Sequence, residues 1–408
     1  MKSKKFVLAG LVLLAITMVL LPLAGCKNDS VPPETTSGTV PETPKYTVSF
    51  DANGGTFVDG KDNKTEMVES GQKATRPEAD PTKDGWVFAG WYTLKDDGET
   101  LADTAYSFDT PEAGDIILYA ALNGRVDGNI VLRNKVIPKT NEVRVLSTKV
   151  SFASLDKNGV DSKVFISDRK GEIQPFVMGQ YEVTQQLYFA VMGKNPSDFK
   201  TGTENEEPKV GGRELPVEKV KWYDAVVFCN ELTKKVMGED ACVYYSDEGL
   251  KTVYTTGDGT KAKTPYMDIS KSGYRLPTEA EWELAARGGD PEEGAWEYTY
   301  AGSNTIDEVV WYSQNSSGKT HQVGTKAYNR LELYDMSGNV REWCWDWWSE
   351  NITVDTPFDG EDSGTRRVSR GGSWNNPNTD HCVVSYRSHY DSNLSYNNLG
   401  FRLVRSAN

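Results

Sequence analysis

The chain has 408 residues, a formal charge of −14, and a high content of Gly, Trp and Tyr. That length exceeds one ordinary domain and implies two or three, and the composition is that of β-rich or α+β globular domains, not of disorder. The acidic balance, with no basic run outside the N-terminus, excludes nucleic acid as a partner and excludes adhesion to anionic lipid through the protein surface.

Lys2, Lys4 and Lys5 precede an apolar run, Phe6 to Leu23, and then Leu23-Ala24-Gly25-Cys26. Read by length alone, the run could be a transmembrane anchor. Pro22 and a Cys set directly after small residues favour an export signal cleaved before Cys26. Leu-Ala-Gly-Cys resembles the lipobox of bacterial lipoproteins, which implies a lipid on Cys26, the bilayer as a partner, and residence at the outer membrane or cell surface. Residues 1–25 are thus expected to be signal peptide. Residues 26–45, rich in Pro, Thr, Ser and Glu, are expected to be a flexible tether.

Residues 46–122 read as a small β module. Tyr46 to Phe50 alternates, Asn53-Gly54-Gly55 signals a turn, and Trp86–Tyr92 and Ile116–Ala120 read as strands. The stretches VSFDANGG, PTKDGWVFAGWY and YSFDTPEAGDIILYAAL resemble the internalin B-type repeat, a β-grasp-like module of bacterial surface proteins. The resemblance implies a spacer or adhesion module. Residues 123–142 are expected to be a linker containing one strand, GNIVLRN.

From 143 to 406 the pattern is that of one large domain. Val143–Leu146 and Val164–Ser167 are its expected opening strands. Thr184 can cap a helix over Gln185–Met192 that Gly193 stops. Trp222, Val226, Cys229 and Leu232 form a helical stripe over Trp222–Met237, although Lys221 is a poor cap. Thr278 and Glu281 form a capping box ahead of Trp282, Leu284 and Ala285, with Gly288 as the stop. Glu281 caps; Glu279 and Glu283 are expected on a solvated face. Trp343, Trp345 and Trp347 should share one face of a strand.

The cysteines of this domain are Cys229, Cys242, Cys344 and Cys382. Export permits disulfides, and spacing leaves all three pairings open. With no CxxC and only His321, His381 and His389, no zinc site is expected.

Near the C-terminus, Asn375 to Asn398 holds six Asn, three Tyr and two His, with no Lys, Glu, Gln, Met or Trp. Tyr with Ser and Asn is a paratope composition, rigid aromatic area plus adaptable hydrogen bonding. The candidate ligand-binding residues are Trp374, Asn375, Asn376, Asn378, His381, Tyr386, His389, Tyr390, Asn393, Tyr396 and Asn397. Trp374, Val383 and Phe401 should anchor the segment in the core. The plainer alternative is a long polar surface loop without a partner.

Five motifs occur in order: Gln180–Thr184, Tyr274–Glu283, Leu333–Trp343, Arg370–Trp374 and Gly400–Arg402. Together they resemble the formylglycine-generating enzyme, or sulfatase-modifying factor, family. The resemblance implies an α+β, C-type-lectin-like fold over 143–406. It also implies a structural calcium ion at Asp335, Gly338, Val340 and Glu342, through carbonyls and the Glu carboxylate. Glu332 and Arg341 depart from the family pattern there, and Arg341 could compete for Glu342. Oxidase members hold copper with two cysteines shortly after Gly-Gly-Ser; only Cys382 stands in that region, so no copper and no catalytic residue are expected. The iron-dependent branch needs a His-rich site that this chain lacks. The segment between GGSW and LGFR also resembles the variable region of retroelement-diversified proteins, whose randomised Asn codons cannot encode the five residue types missing here.

Three functions are weighed: a surface lipoprotein binding an extracellular protein or glycan, an oxidase of exported proteins, and a structural lipoprotein without a ligand. The first is the expectation.

Overall fold

A computed structural model of the chain describes residues 42–152, 169–350, 352, 356–360 and 362–407. The signal peptide, Cys26, most of the tether and the strand expected at Val164–Ser167 lie outside the described residues. The chain divides after Thr43, and all secondary structure described belongs to the unit Pro44–Asn408.

Alternation in the sequence becomes a sheet in the N-terminal module. Strand β1 (Lys45–Asp51) buries Val48 and Phe50, pairs antiparallel with β2 (Asn63–Glu69), and runs parallel to β4 (Ile116–Val126). Strand β3 (Val87–Tyr92) flanks β4 and supplies Trp91, whose ring meets Phe50 edge-on at 5.2 Å. The expected linker is instead part of this sheet. β4 turns at Asp127-Gly128 into β5 (Asn129–Leu132), which turns at Arg133-Asn134 into β6 (Lys135–Val136). All four turn residues have positive φ, as two-residue hairpins require. Ile130, Leu132 and Ile137 are buried in the core of the large domain, which is why 123–142 does not behave as a tether.

In the large domain, β7 (Glu142–Val145) is followed by a hairpin of β8 (Thr148–Phe152) and β9 (Arg169–Ile173), then β10 (Phe176–Gly179). Helix α1 (Gln185–Met192) is capped by Thr184 and stopped by Gly193, as expected. Helix α2 (Trp222–Met237) has no side-chain cap; the amide of Trp222 donates to the Ser392 carbonyl at 3.2 Å. Short elements follow: β11 (Tyr244–Tyr245), α3 (Thr256–Thr260), β12 (Tyr266–Met267) and β13 (Tyr274–Arg275). Helix α4 (Glu279–Ala286) carries the expected capping box, and α5 (Ile306–Val309) is one turn. The final strands are β14 (Arg341–Trp347), β15 (Arg366–Arg370), β16 (Arg387–Asp391), β17 (Leu399–Gly400) and β18 (Val404–Ser406).

Two sheets organise this α+β domain. One, ordered β13-β18-β10-β7, pairs the last strand of the chain with the domain's opening strands. The other, ordered β16-β15-β14-β17, carries the Asn/Tyr/Ser-rich segment. Between them α2 buries Trp222, whose indole N–H donates to the Cys344 carbonyl at 2.8 Å; its ring lies 5.4 Å from Trp345.

Helix α4 departs from the sequence reading. Glu279 and Glu283 are each 1 % exposed, not solvated. Arg387 donates from Nε and Nη2 to both Glu279 oxygens at 2.6 and 2.8 Å, Arg287 pairs with Glu283 at 2.8 Å, and Arg370 reaches Glu283 as well. A helix one turn from its cap shows acids on its outer face by period alone. The arginines that bury these two come from β15 and β16 and, for Arg287, from just past the end of α4, a placement that no local pattern reports.

Candidate binding face

The segment 375–398 is held from below by charge and backbone, not by apolar mass. Arg370, at the end of β15, donates Nη1 to the Tyr386 carbonyl at 2.7 Å and Nη2 to the Val384 carbonyl at 3.1 Å. Gly372 follows with φ +75°, and a Cβ there would lie 2.7 Å from Cys382 Sγ, so only glycine lets the segment close on itself. Asn378 accepts from the Asp380 amide and starts a one-turn helix, Thr379–Cys382. The apolar anchors are Phe401, as expected, and Val384 in place of Val383: Val384 is 1 % exposed, whereas Val383 and Trp374 are half-buried.

The two arms of the segment are stitched together. Trp374 donates its indole N–H to the Asn397 carbonyl at 2.9 Å, and Asn398 donates to Asn375 Oδ1 at 3.0 Å. The Tyr396 carbonyl accepts from the Lys219 amide ahead of α2. Phe199 packs edge-on against Trp374 at 5.1 Å, an addition to the face with no local sequence signal.

The expected site residues gather in small groups, and one of them, Asn376, His381 and Tyr386, lies about Arg341. Tyr396 and Tyr390 lie 5.0 Å apart, with Tyr390 edge-on to Trp343 beneath it. His381 and Tyr386 lie 4.5 Å apart, and Asn376 Nδ2 donates to His381 Nδ1 at 3.1 Å. Asn375, Asn378, Asn393 and Tyr396 are exposed, while Trp374, His381, Tyr386, Tyr390 and Asn397 are half-buried. Two residues differ from expectation. Asn376 is buried, its Oδ1 taken by the Ser373 amide at 2.7 Å, so it is a support and not a contact. His389 sits against Trp348 at 4.4 Å, on the opposite side of β16 from Tyr390, because neighbouring residues of a strand face apart.

The turn read as a calcium site is a buried charge cluster. Glu342 is fully buried; Arg402 donates to both its oxygens at 2.8 and 2.7 Å, and Trp282 Nε1 adds a third bond at 2.7 Å. Arg341 does not compete for Glu342; it turns away toward Asn376. Val340 donates its amide to Glu182 at 3.0 Å, and Asp335 Oδ2 accepts from the Gly324 amide at 2.7 Å. Only Asp335 Oδ1 lacks a partner. Burial pushes the Asp335 carboxyl up to about 6 and raises Glu182 well above the carboxylate range, with Asp335 and Glu342 adding repulsion at Glu182. Of the residues expected to hold calcium, Asp335, Gly338, Val340 and Glu342, the Glu342 carboxylate is engaged by a guanidinium and an indole N–H, and Asp335 Oδ1 is left open. Among the described residues no group of three or more His, Cys, Asp or Glu side chains could hold a metal.

Cys229, Cys242, Cys344 and Cys382 are all unpaired and buried. Burial pushes the Cys382 and Cys242 thiols up to about 12 and raises those of Cys229 and Cys344 well above the ordinary thiol value too. None is poised as a thiolate.

This fold and face define a lectin-like scaffold that displays a polar, aromatic segment between two fixed rims. Residues 133–407 match the sulfatase-modifying factor enzyme 1-like domain, and the chain belongs to that family. Residues 46–121 match the Listeria-Bacteroides repeat domain. The chain is 38 % identical over 265 residues to the chaperone protein LppX of Paenibacillus barcinonensis, covering 60 % of this chain and 85 % of that one. It is 36 % identical to the formylglycine-generating enzyme of Streptomyces coelicolor over 33 % of this chain and 48 % of the enzyme. Among solved structures, Treponema denticola variable protein 1 superposes with a TM-score of 0.54 at 35 % identity, over 65 % of this chain and 94 % of that one. Among the described residues no helix is long and apolar enough to cross a membrane.

Proposed function

We propose that this chain is a lipoprotein anchored through Cys26 at the outer membrane or cell surface. It binds an external protein or glycan through the face formed by Trp374, Asn375, Tyr386, Tyr390, Asn393 and Tyr396. The observation that carries the reading is the contrast within the segment: its backbone is fixed by Arg370, Lys219 and Trp374, while Tyr396, Asn375 and Asn393 stay exposed. Rigid backbone beneath exposed Tyr and Asn is the economy of a paratope, since little conformational freedom is lost on binding. Likeness to a variable protein and to a chaperone, both named for something other than catalysis, supports a binding role. The buried thiols give no support to oxidase chemistry. Diversification of the segment by a retroelement is part of the same proposal: the exposed positions can change without disturbing the core, and a near-copy of the 366–402 coding segment beside a reverse transcriptase gene would support it.

The test is a variant with Tyr390, Asn393 and Tyr396 all changed to Ser, compared with the unmodified protein on arrays of extracellular proteins and glycans. Binding should fall at least ~10-fold, as loss of interface tyrosines does, with cooperative unfolding retained. Unchanged binding by a folded variant would move the surface elsewhere.

A further inference from the structure

Seven arginines are buried among the described residues. Five of them, Arg275, Arg287, Arg370, Arg387 and Arg402, are each paired with a buried glutamate. Arg367 also lacks a carboxylate partner among the described residues and leaves Nε and Nη2 without hydrogen bonds, but it is stacked between Trp222 and Trp347, 3.7 and 3.3 Å from the ring centres, and donates Nη1 to the Trp345 carbonyl. Arg341 is different. It is 4 % exposed, forms no ion pair with any described residue, and its Nε and Nη1 have no hydrogen-bond partner. Nη2 alone reaches Asn376 Oδ1, at 3.2 Å, an oxygen that already accepts from the Ser373 amide and hydroxyl. The ring of Tyr386 lies 5.6 Å from the guanidinium carbon.

A guanidinium cannot shed its proton, and an unpaired buried charge is strongly unfavourable unless an anion comes to it. Arg341 lies within the proposed binding segment's surroundings, against Asn376 and Tyr386 and close enough to His381 for its charge to act there. We infer that Arg341 anchors a subsite for a carboxylate borne by an acidic segment of a partner protein. This rests on the binding-face reading and gives it a ligand chemistry. A single cation matches a singly charged carboxylate. His381 adds no second charge, because burial and then the Arg341 charge itself hold it neutral. The Asn and Tyr flanks suit peptide groups. An acidic peptide and an acidic glycan of equal charge meet the −14 field of the chain alike, so the Asn and Tyr flanks are what favour the peptide. His381 and Tyr386, both half-buried and 4.5 Å apart, flank the guanidinium on its approach side in this proposal.

The full chain should be titrated with hexaglutamate, with hexaglutamine, and with hexagalacturonate, reading thermal shift and tryptophan fluorescence. Hexaglutamate should bind and the other two should bind at least ~10-fold more weakly, because hexaglutamine lacks the carboxylate that Arg341 would hold and hexagalacturonate lacks the peptide groups that suit the Asn and Tyr flanks. Arg341→Met should lose at least ~10-fold in hexaglutamate affinity while unfolding at the same or a higher temperature, because a buried unpaired charge is gone. Asn376→Asp places a carboxylate on Arg341 from within and should occlude the probe to a similar degree. If Arg341→Met fails to fold, Asn376→Asp decides. Hexaglutamate binding no better than hexaglutamine, binding unaffected by both variants, or preference for hexagalacturonate each overturns the inference. An external ligand lost with the Tyr390/Asn393/Tyr396 variant but retained by Arg341→Met would leave the binding face standing and this subsite refuted.

Discussion

Arg402 closes its Nε and Nη2 on the two carboxylate oxygens of Glu342 at 2.7 and 2.8 Å, across 60 positions, with neither side chain exposed. Its remaining donors reach the carbonyls of Gly179, Gln180 and Tyr334, so one side chain ties the end of the chain to both the opening strands and the Asp335–Glu342 turn. Breaking such a pair leaves a buried charge alone. Arg402→Met should cost on the order of 3–5 kcal/mol in urea unfolding. Adding Glu342→Gln should recover part of that loss, since contacting residues are not additive. Additive losses would mean that the pair is not the fastening it looks like.

The cluster beside it sets a pH dependence. Burial raises the Asp335 carboxyl from an ordinary 3.8 to about 6. A carboxyl with a raised folded pKa stabilises fully below its unfolded pKa and loses that contribution as pH rises through the folded one. Acidification from about pH 7 toward pH 4 should therefore strengthen the domain through this group. Glu218, pushed up to about 7 by burial, acts in the same direction. Asp335→Asn should gain on the order of 1–3 kcal/mol at pH 7 and flatten the profile of melting temperature against pH. EDTA should leave the melting temperature at pH 7 unmoved. A fall of several degrees would mean that Asp335 Oδ1 and the turn carbonyls hold a cation after all.

No formylglycine should be made. Copper(I) is held by thiolates, and Cys382 is a buried thiol raised to about 12. Incubation with copper, oxygen and a Cys-containing sulfatase peptide should return the peptide thiol intact by mass spectrometry. An aldehyde product that disappears in Cys382→Ser would overturn this.

Lipidation at Cys26 should decide where the protein resides. Cys26→Ala should abolish incorporation of a fatty-acid analogue and move the protein into the aqueous phase of a detergent extract. Retention of the variant in the membrane fraction would point to an uncleaved Phe6–Leu23 anchor.

The local elements were legible because their causes are local. Thr184, Gly193, Thr278 and Glu281 act on amides and carbonyls within one helical turn, so spacing reports them. The alternation of Val48 and Phe50 and the tryptophans of β14 likewise carry their own period. Composition marked 375–398 as the segment to examine. It could not separate His389 from Tyr390, because that requires knowing that both lie in β16.

By itself the sequence determined the fold family, the β module and the bounds of the segment proposed to bind, since ordered motifs and periodic patterns are properties of neighbours along the chain. Tertiary structure decided the charges. Glu279 finds Arg387 across 108 positions, and Glu342 takes Arg402 and not the adjacent Arg341, whose side chain points the other way along β14. Partners that meet only when separate strands are packed leave no periodic trace. For the same reason Arg341, one of two buried arginines that no carboxylate pairs among the described residues, is invisible until the other five have been seen with their glutamates.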